Sequence, residues 1–171
     1  DGRQFDYVGD SAGLEAQIAA FDPADVAGYR RFHDYAEAVY REGYLRLGTV
    51  PFLDFRQMLQ AAPALVRLEA YRSVHSVVAR FIRDPHLRQA FSFHTLLVGG
   101  NPFSTSAIYA LIHALERKGG VWFAKGGTGA LVAGMVRHFQ RLGGTLRLNS
   151  PVERIETEGR RATAIHAGGG R

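Results

Sequence analysis

Three groups of residues in this 171-residue chain are of types that could do chemistry. The first is a glycine turn, Gly127-Thr128-Gly129, followed by the apolar run Ala130-Leu131-Val132. Glycines so placed let a backbone approach a pyrophosphate, which then meets the positive end of the following helix. The second is the set of seven histidines, residues that serve as metal ligands and as general acids or bases. The third is Asp54, Arg56, Gln57 and Gln60, grouped where a loop enters a helix.

Each group meets an objection. In the glycine turn the third glycine position is Val132, and the strand expected before it is short and bulky, with Trp122 and Phe123. Leu148-Asn149 stands where an acidic residue would end the second strand of a dinucleotide fold. A tight strand-to-helix turn is therefore favoured over a nucleotide loop. His86 and His94 fall eight residues apart on one predicted helix, not at the four-residue spacing of a zinc helix. His33, His75, His113, His138 and His166 are scattered over separate elements, and there is no cysteine, so no metal site is expected. Gln57 and Gln60 cannot exchange protons at ordinary pH, and no catalytic acid or base is assigned. Ser104 and Ser106 lack the G-x-S-x-G elbow of a hydrolase and read as helix caps.

Composition narrows the classes. Hydrophobic residues make up 46% of the chain, enough for a real core. The net charge of +5 comes mostly from arginine but contains no block of about five basic residues, so nucleic acid is not an expected partner. No stretch reaches the roughly 18 uninterrupted apolar residues of a membrane span. The opening DGRQFDYVGD has neither the basic start nor the apolar centre of a signal peptide.

The elements that position these residues are mostly helical. Arg3–Val8 alternates weakly, as an edge strand would. Leu14, Ile18 and Phe21 recur at helical spacing after a Ser11 cap, and Asp22-Pro23-Ala24-Asp25 starts a helix with Val26, Tyr29, Ala36, Val39, Tyr40 and Leu47 on one face. Thr49-Val50-Pro51 ends it. Asp54-x-x-Gln57 is a capping-box variant, Pro63 starts a further helix, and Val74, Val77, Val78 and Phe81 continue the period. Ala64–Arg83, which mixes Leu65, Val66 and Leu68 with Arg67, Arg72, Arg80 and Arg83, reads as an amphipathic helix facing the core; an interfacial helix is the alternative. Asp84-Pro85 opens a helix through Val98. After Gly99-Gly100-Asn101-Pro102, Ser104 or Thr105 caps one that carries Ile108, Leu111, Ile112 and Leu115.

Beyond Gly119-Gly120 the period changes. Val121–Phe123 and Thr145–Leu148 read as strands around a helix over Leu131–Leu142. Val152–Thr157 and Ala162–His166 read as a hairpin around Glu158-Gly159-Arg160, and Ala167–Arg171 as a turn into another strand. The fold class expected is α/β (α+β): a mainly helical block, then a small βαβ and β-hairpin portion.

Long consecutive segments carry a family resemblance. EGYLRLGTVPFLDFRQML, RQAFSFHTLLVGGNPFSTSAIYAL and GGVWFAKGGTGALVAGM resemble bacterial phytoene desaturases, which are FAD-dependent amine-oxidase-like flavoproteins. The resemblance covers essentially the whole chain and implies the central part of such an enzyme, with sequence expected at both ends. It implies residues 1–124 as a partial substrate domain and 125–171 as the returning, incomplete part of an FAD-binding domain. The family's dinucleotide fingerprint lies earlier than this stretch.

By the same resemblance the parent dehydrogenates phytoene towards lycopene or neurosporene in carotenoid biosynthesis. Its cofactor is FAD, with the site incomplete in this chain. Val152, side chain buried and main chain against the adenine, is the cofactor-binding residue it implies, while Gly126 and Gly127 only shape the turn. Because phytoene lives in a bilayer, a cytoplasmic protein peripheral to the cell membrane is implied. This stretch alone is expected to be colourless and inactive, and to self-associate through unpaired strand edges. The rival reading is a self-contained helical nucleotide- or lipid-binding module that uses the Gly127–Gly129 turn.

Overall fold

A carboxylate sets the first helix. Asp10, in extended conformation, accepts the Gly13 amide at 2.6 Å and caps α1 (Ser11–Phe21), the role expected of Ser11. The structure, a computed structural model, describes residues 2–51 and 53–168 and comprises two units, 1–121 and 122–171.

In the first unit α2 (Asp25–Tyr40) continues into a π-helical turn, Arg41–Arg46. Asp22 holds the preceding turn by accepting the Ala24 amide, so the helix begins at Asp25, two residues beyond Pro23. Asp54 caps α3 (Phe55–Arg67) by accepting the Gln57 amide at 2.9 Å, and Gln57 Oε1 in turn accepts the Leu53 amide at 3.0 Å. Pro63 lies inside α3 and does not start a new helix. The ring removes one backbone bond, but burial of Ala61 and Ala64 on either side holds the helix together.

Ala64–Arg83 is not one helix. The chain leaves α3, turns through Glu69 at φ 53°, and re-enters a helix as α4 (Val74–Phe81), capped by Ser73. Glu69 pairs with Arg80 and with Arg72, which fixes the turn. Asp84 caps α5 (Pro85–Ser92) as its sequence indicates, and a 3-10 turn over Phe93–Val98 follows in place of further α-helix. Ser106, not Ser104 or Thr105, caps the 3-10 turn Ala107–Ala110 that leads into α6 (Leu111–Gly119).

The core of this unit joins Leu14 and Ile18 of α1, Tyr29 and Phe32 of α2, Val74 and Val78 of α4, Ile82, and Leu87 and Phe91 of α5. Two details bind α2 to the α4–α5 corner. Buried Asp25 accepts amides of that corner, and a Cβ added at Gly28 would lie 2.0 Å from the Phe81 carbonyl oxygen. Along 107–114 the residues wholly or nearly wholly buried are Ala107, Ala110, His113 and Ala114. Ile108, Leu111 and Ile112, the apolar face expected from sequence, are only partly covered. Small side chains let α6 approach α2 closely.

Arg3–Val8 forms no strand. Its amides go elsewhere: Asp6 donates to the Gln17 side chain and Val8 to the Asp6 carbonyl.

In the second unit α7 (Gly127–Arg141) begins four residues earlier than expected. β1 (Val152–Glu158) and β2 (Arg161–Ala167) pair antiparallel, with register shifts after Val152 and after Glu156. The strands expected at Val121–Phe123 and Thr145–Leu148 are absent, so the βαβ part of the expected fold does not form among the described residues. Strand conformation needs a ladder, and the ladder among the described strands joins β1 to β2. The strand expected to follow Ala167 falls on residues 169–171, outside the described residues. None of the described residues of 122–168 is buried, and Leu131, Val132, Met135, Ile155 and Ile165 are all more than half exposed. One helix and a two-stranded hairpin supply no second layer to cover them.

Candidate functional site

Histidines that the sequence scatters are brought together in the first unit. His113, on α6, is fully buried. Its Nδ1 lies 2.5 Å from the Tyr7 hydroxyl and its Nε2 lies 3.5 Å from His33 Nδ1 on α2. A neutral imidazole has one N–H, and the Tyr7 hydroxyl has one proton to give. Either Tyr7 donates to Nδ1 and His113 donates from Nε2 to His33, or His113 donates from Nδ1 to the Tyr7 oxygen and His33 donates to Nε2. His33 Nε2 then faces Glu37 at 3.9 Å, and Glu37 pairs with Lys118 at 2.7 Å. Beside them His94 Nε2 meets Glu116 at 2.9 Å.

Burial keeps this cluster neutral at its centre. Desolvation, reinforced by His94, His33 and Arg117, pushes His113 down to about 2. Desolvation, then Glu116 and Tyr29, raises the Tyr7 phenol. Phe32, Phe91 and Tyr29 surround the His113 ring, with centroids 5.2, 5.7 and 5.7 Å away. Among the described residues, no group of three or more His, Cys, Asp or Glu side chains is arranged to hold a metal ion.

Several concave surfaces lie on this unit. A pocket of about 520 Å³ is lined by Phe5, Tyr7, Phe93, Leu97 and the His94–Glu116 pair, among others. An almost wholly apolar groove of about 440 Å³ runs along α3, lined by Met58, Ala62, Leu65, Val66, Tyr71 and Ile108 among others. Its apolar walls offer little to a charged ligand and suit a hydrocarbon chain.

The residues singled out in the sequence are dispersed. Asp54 and Gln57 are occupied as caps of α3, and Gln57 and Gln60 border a separate hollow of about 370 Å³ with Arg46. In the second unit the glycine turn is the first turn of α7 itself. Gly126 and Gly127 take φ of 84° and 80°, left-handed values that favour glycine. Val132 lies within that helix and is half exposed. Val152 opens β1, opposite Ala167, and its side chain is 55% exposed where burial was expected. A two-stranded hairpin has no layer over either face. Residues 122–171 hold eight lysines and arginines against three acidic residues, so the whole +5 surplus lies there.

The Tyr7–His113–His33 cluster was missed by sequence reasoning. Tyr7 and His113 are 106 positions apart and no local period links them. The one available signal was a histidine in step with alanines, Ala107, Ala110 and Ala114, along a helix.

Residues 1–171 match the flavin containing amine oxidoreductase family. The chain is 69% identical over 170 residues to a phytoene desaturase (lycopene-forming) of Paracoccus sp. (strain N81106 / MBIC 01143), covering 99% of this chain and 34% of that protein. It is 62% identical to the lycopene-forming phytoene desaturase of Pantoea ananas, over 99% of this chain and 35% of that protein. A neurosporene-forming phytoene desaturase of Rhodobacter capsulatus is 38% identical over 155 residues, 91% of this chain and 30% of that protein. The chain thus spans about a third of the length of the curated relatives it matches.

Proposed function

Since the chain belongs to the flavin-containing amine oxidoreductase family, we propose that the protein it forms part of is an FAD-dependent phytoene desaturase. The reaction dehydrogenates phytoene towards lycopene or neurosporene. The observation that carries this reading is high identity to phytoene desaturases along nearly the entire chain.

The residues present fit part of such a cofactor site. The main chain of Val152, at the open start of β1, can flank the adenine, and the unpaired edge of β1 leaves it accessible. The α7 turn lacks the glycine a pyrophosphate needs at Val132, and no carboxylate follows it where a ribose would sit. FAD, when bound, supplies hydride acceptance. The residues of this chain contribute binding and exclusion of water: the α3 groove offers a hydrocarbon chain apolar walls through Met58, Leu65, Val66 and Ile108. No side chain of the groove is assigned a proton transfer.

In this reading residues 1–124 belong to the substrate domain and 125–171 to the returning part of the FAD-binding domain. The protein works on the cytoplasmic side, peripheral to the cell membrane that holds phytoene. Among the described residues no helix is long and apolar enough to cross a membrane, and the basic surplus of 122–171 suits an anionic lipid surface. Residues 1–171 in isolation bind FAD weakly and self-associate through the uncovered apolar side chains of α7 and the hairpin. Incubating the full-length protein that contains this chain, supplied with FAD, with phytoene in liposomes tests the function: the reading requires a coloured, more conjugated polyene, and unchanged phytoene would refute it.

A further inference from the structure

The segment Arg3–Val8 has no helix or strand of its own, yet it touches three helices. Phe5 packs edge-on against Phe21 of α1 and Phe91 of α5, with ring centroids 5.8 and 6.0 Å apart. The Asp6 amide donates to Gln17 of α1, and the Tyr7 hydroxyl is hydrogen-bonded to His113 of α6. At its far end Arg117 grips the Val8 carbonyl at 2.7 Å and the Ser11 hydroxyl at 3.0 Å. Phe5 and Tyr7 form one wall of the pocket of about 520 Å³.

We propose that this segment is a proton-sensitive strap over that pocket, closed while His113 is neutral and released when His113 takes up a proton. Both His113 nitrogens are already engaged, Nδ1 with the Tyr7 hydroxyl and Nε2 with His33. A second proton places a full charge on a ring that solvent does not reach. The groups that face the ring are Tyr7 from the strap, Tyr29 and His33 from α2, His94 from the 3-10 turn, and Arg117 from α6. None of these is a carboxylate: Glu116 is taken by His94, and Glu37 reaches only the far side of His33. The imidazolium therefore sits among rings and near the Arg117 guanidinium, with no carboxylate facing it. α2, α5 and α6 cannot withdraw without loss of the core, whereas the strap can swing about the Arg117 grip and admit water.

The sign follows from linkage. The closed state holds His113 far below its ordinary value of 6.5, so closure is fully present above about pH 6.5. As pH falls through that value the open state gains protons that the closed state does not. The open-to-closed ratio then rises tenfold per pH unit, down towards about 2.

Hydrogen exchange on the full chain tests this, because the Asp6 amide is bonded to Gln17 of α1 only in the closed arrangement of the strap. Corrected for intrinsic rates, its protection is expected to be flat from pH 8 to 6.5 and to fall about tenfold per unit below it, while α4 amides hold. His113→Asn keeps an acceptor for Tyr7 but cannot take the proton, and its strap protection stays flat. Tyr7→Phe removes the hydrogen bond to His113, and its strap protection is already lowered at pH 8. A pH-independent strap in the unaltered protein, an unchanged slope in His113→Asn, undiminished protection in Tyr7→Phe, or α4 amides exchanging in parallel with the strap would each overturn the proposal.

Discussion

The carboxylate of Asp25 accepts the backbone amide of Arg83 with both of its oxygens, at 2.7 and 2.9 Å, across 58 positions of chain. Its Oδ2 also takes the Asp84 amide at 2.8 Å. The first turn of α2 thereby satisfies the corner between α4 and α5, whose amides have no helical partner of their own. The carboxylate is 1% exposed.

Asp25→Ala leaves those amides buried without acceptors and removes charge-assisted bonds. The expected loss is about 2–4 kcal/mol, read from urea unfolding, and Asp25→Asn, which keeps one acceptor, should lose less. Equal midpoints for Asp25→Ala and the unaltered protein would show that the corner is held otherwise.

Gly28 lies one turn along the same helix. A methyl group there would stand 2.0 Å from the Phe81 carbonyl oxygen, a backbone atom that cannot yield without parting α2 from α4. Gly28→Ala is expected to destabilise by about 2–3 kcal/mol. Gly134, in α7, offers the contrast, because the nearest atom to an added Cβ is Arg137 Nη2 at 3.7 Å. Gly134→Ala should stabilise by about 0.5–1 kcal/mol through lower entropy of the unfolded chain. Thermal midpoints moving in opposite directions check both.

What the sequence made legible was local. Asp54 and Asp84 announced their helices because a cap and the amide it satisfies lie within three residues, and the hairpin around Gly159 showed in strand alternation on both sides. Contacts over long separations left no such trace. Asp25 read as a helix start, yet its acceptor role is spent on a distant corner. His113 read as isolated, yet Tyr7 and His33 converge on it. Val121–Phe123 and Thr145–Leu148 failed for a related reason: alternation marks a chain that can be a strand, while a partner ladder makes it one. Val152 is the candidate site residue read from sequence, through family resemblance. The α3 groove emerged only from packing.

Val152 gives a test of the cofactor contact. If its main chain flanks the adenine, trimming the side chain matters little, and Val152→Ala should alter FAD affinity of the full-length protein by less than about threefold. Val152→Pro removes the amide at the first residue of β1, a position where a strand tolerates proline, and should weaken FAD by about tenfold or more. Flavin fluorescence titration reads both, and a large loss in Val152→Ala with none in Val152→Pro would reverse the assignment.

The desaturase assignment is tested most directly by a single turnover. Full-length protein carrying oxidised FAD is mixed, without oxygen or any other acceptor, with liposomes that contain phytoene. The account predicts that the flavin absorbance bleaches in step with the appearance of a more conjugated polyene, and that liposomes without phytoene leave the flavin oxidised. A flavin that stays oxidised while phytoene is recovered intact would contradict it.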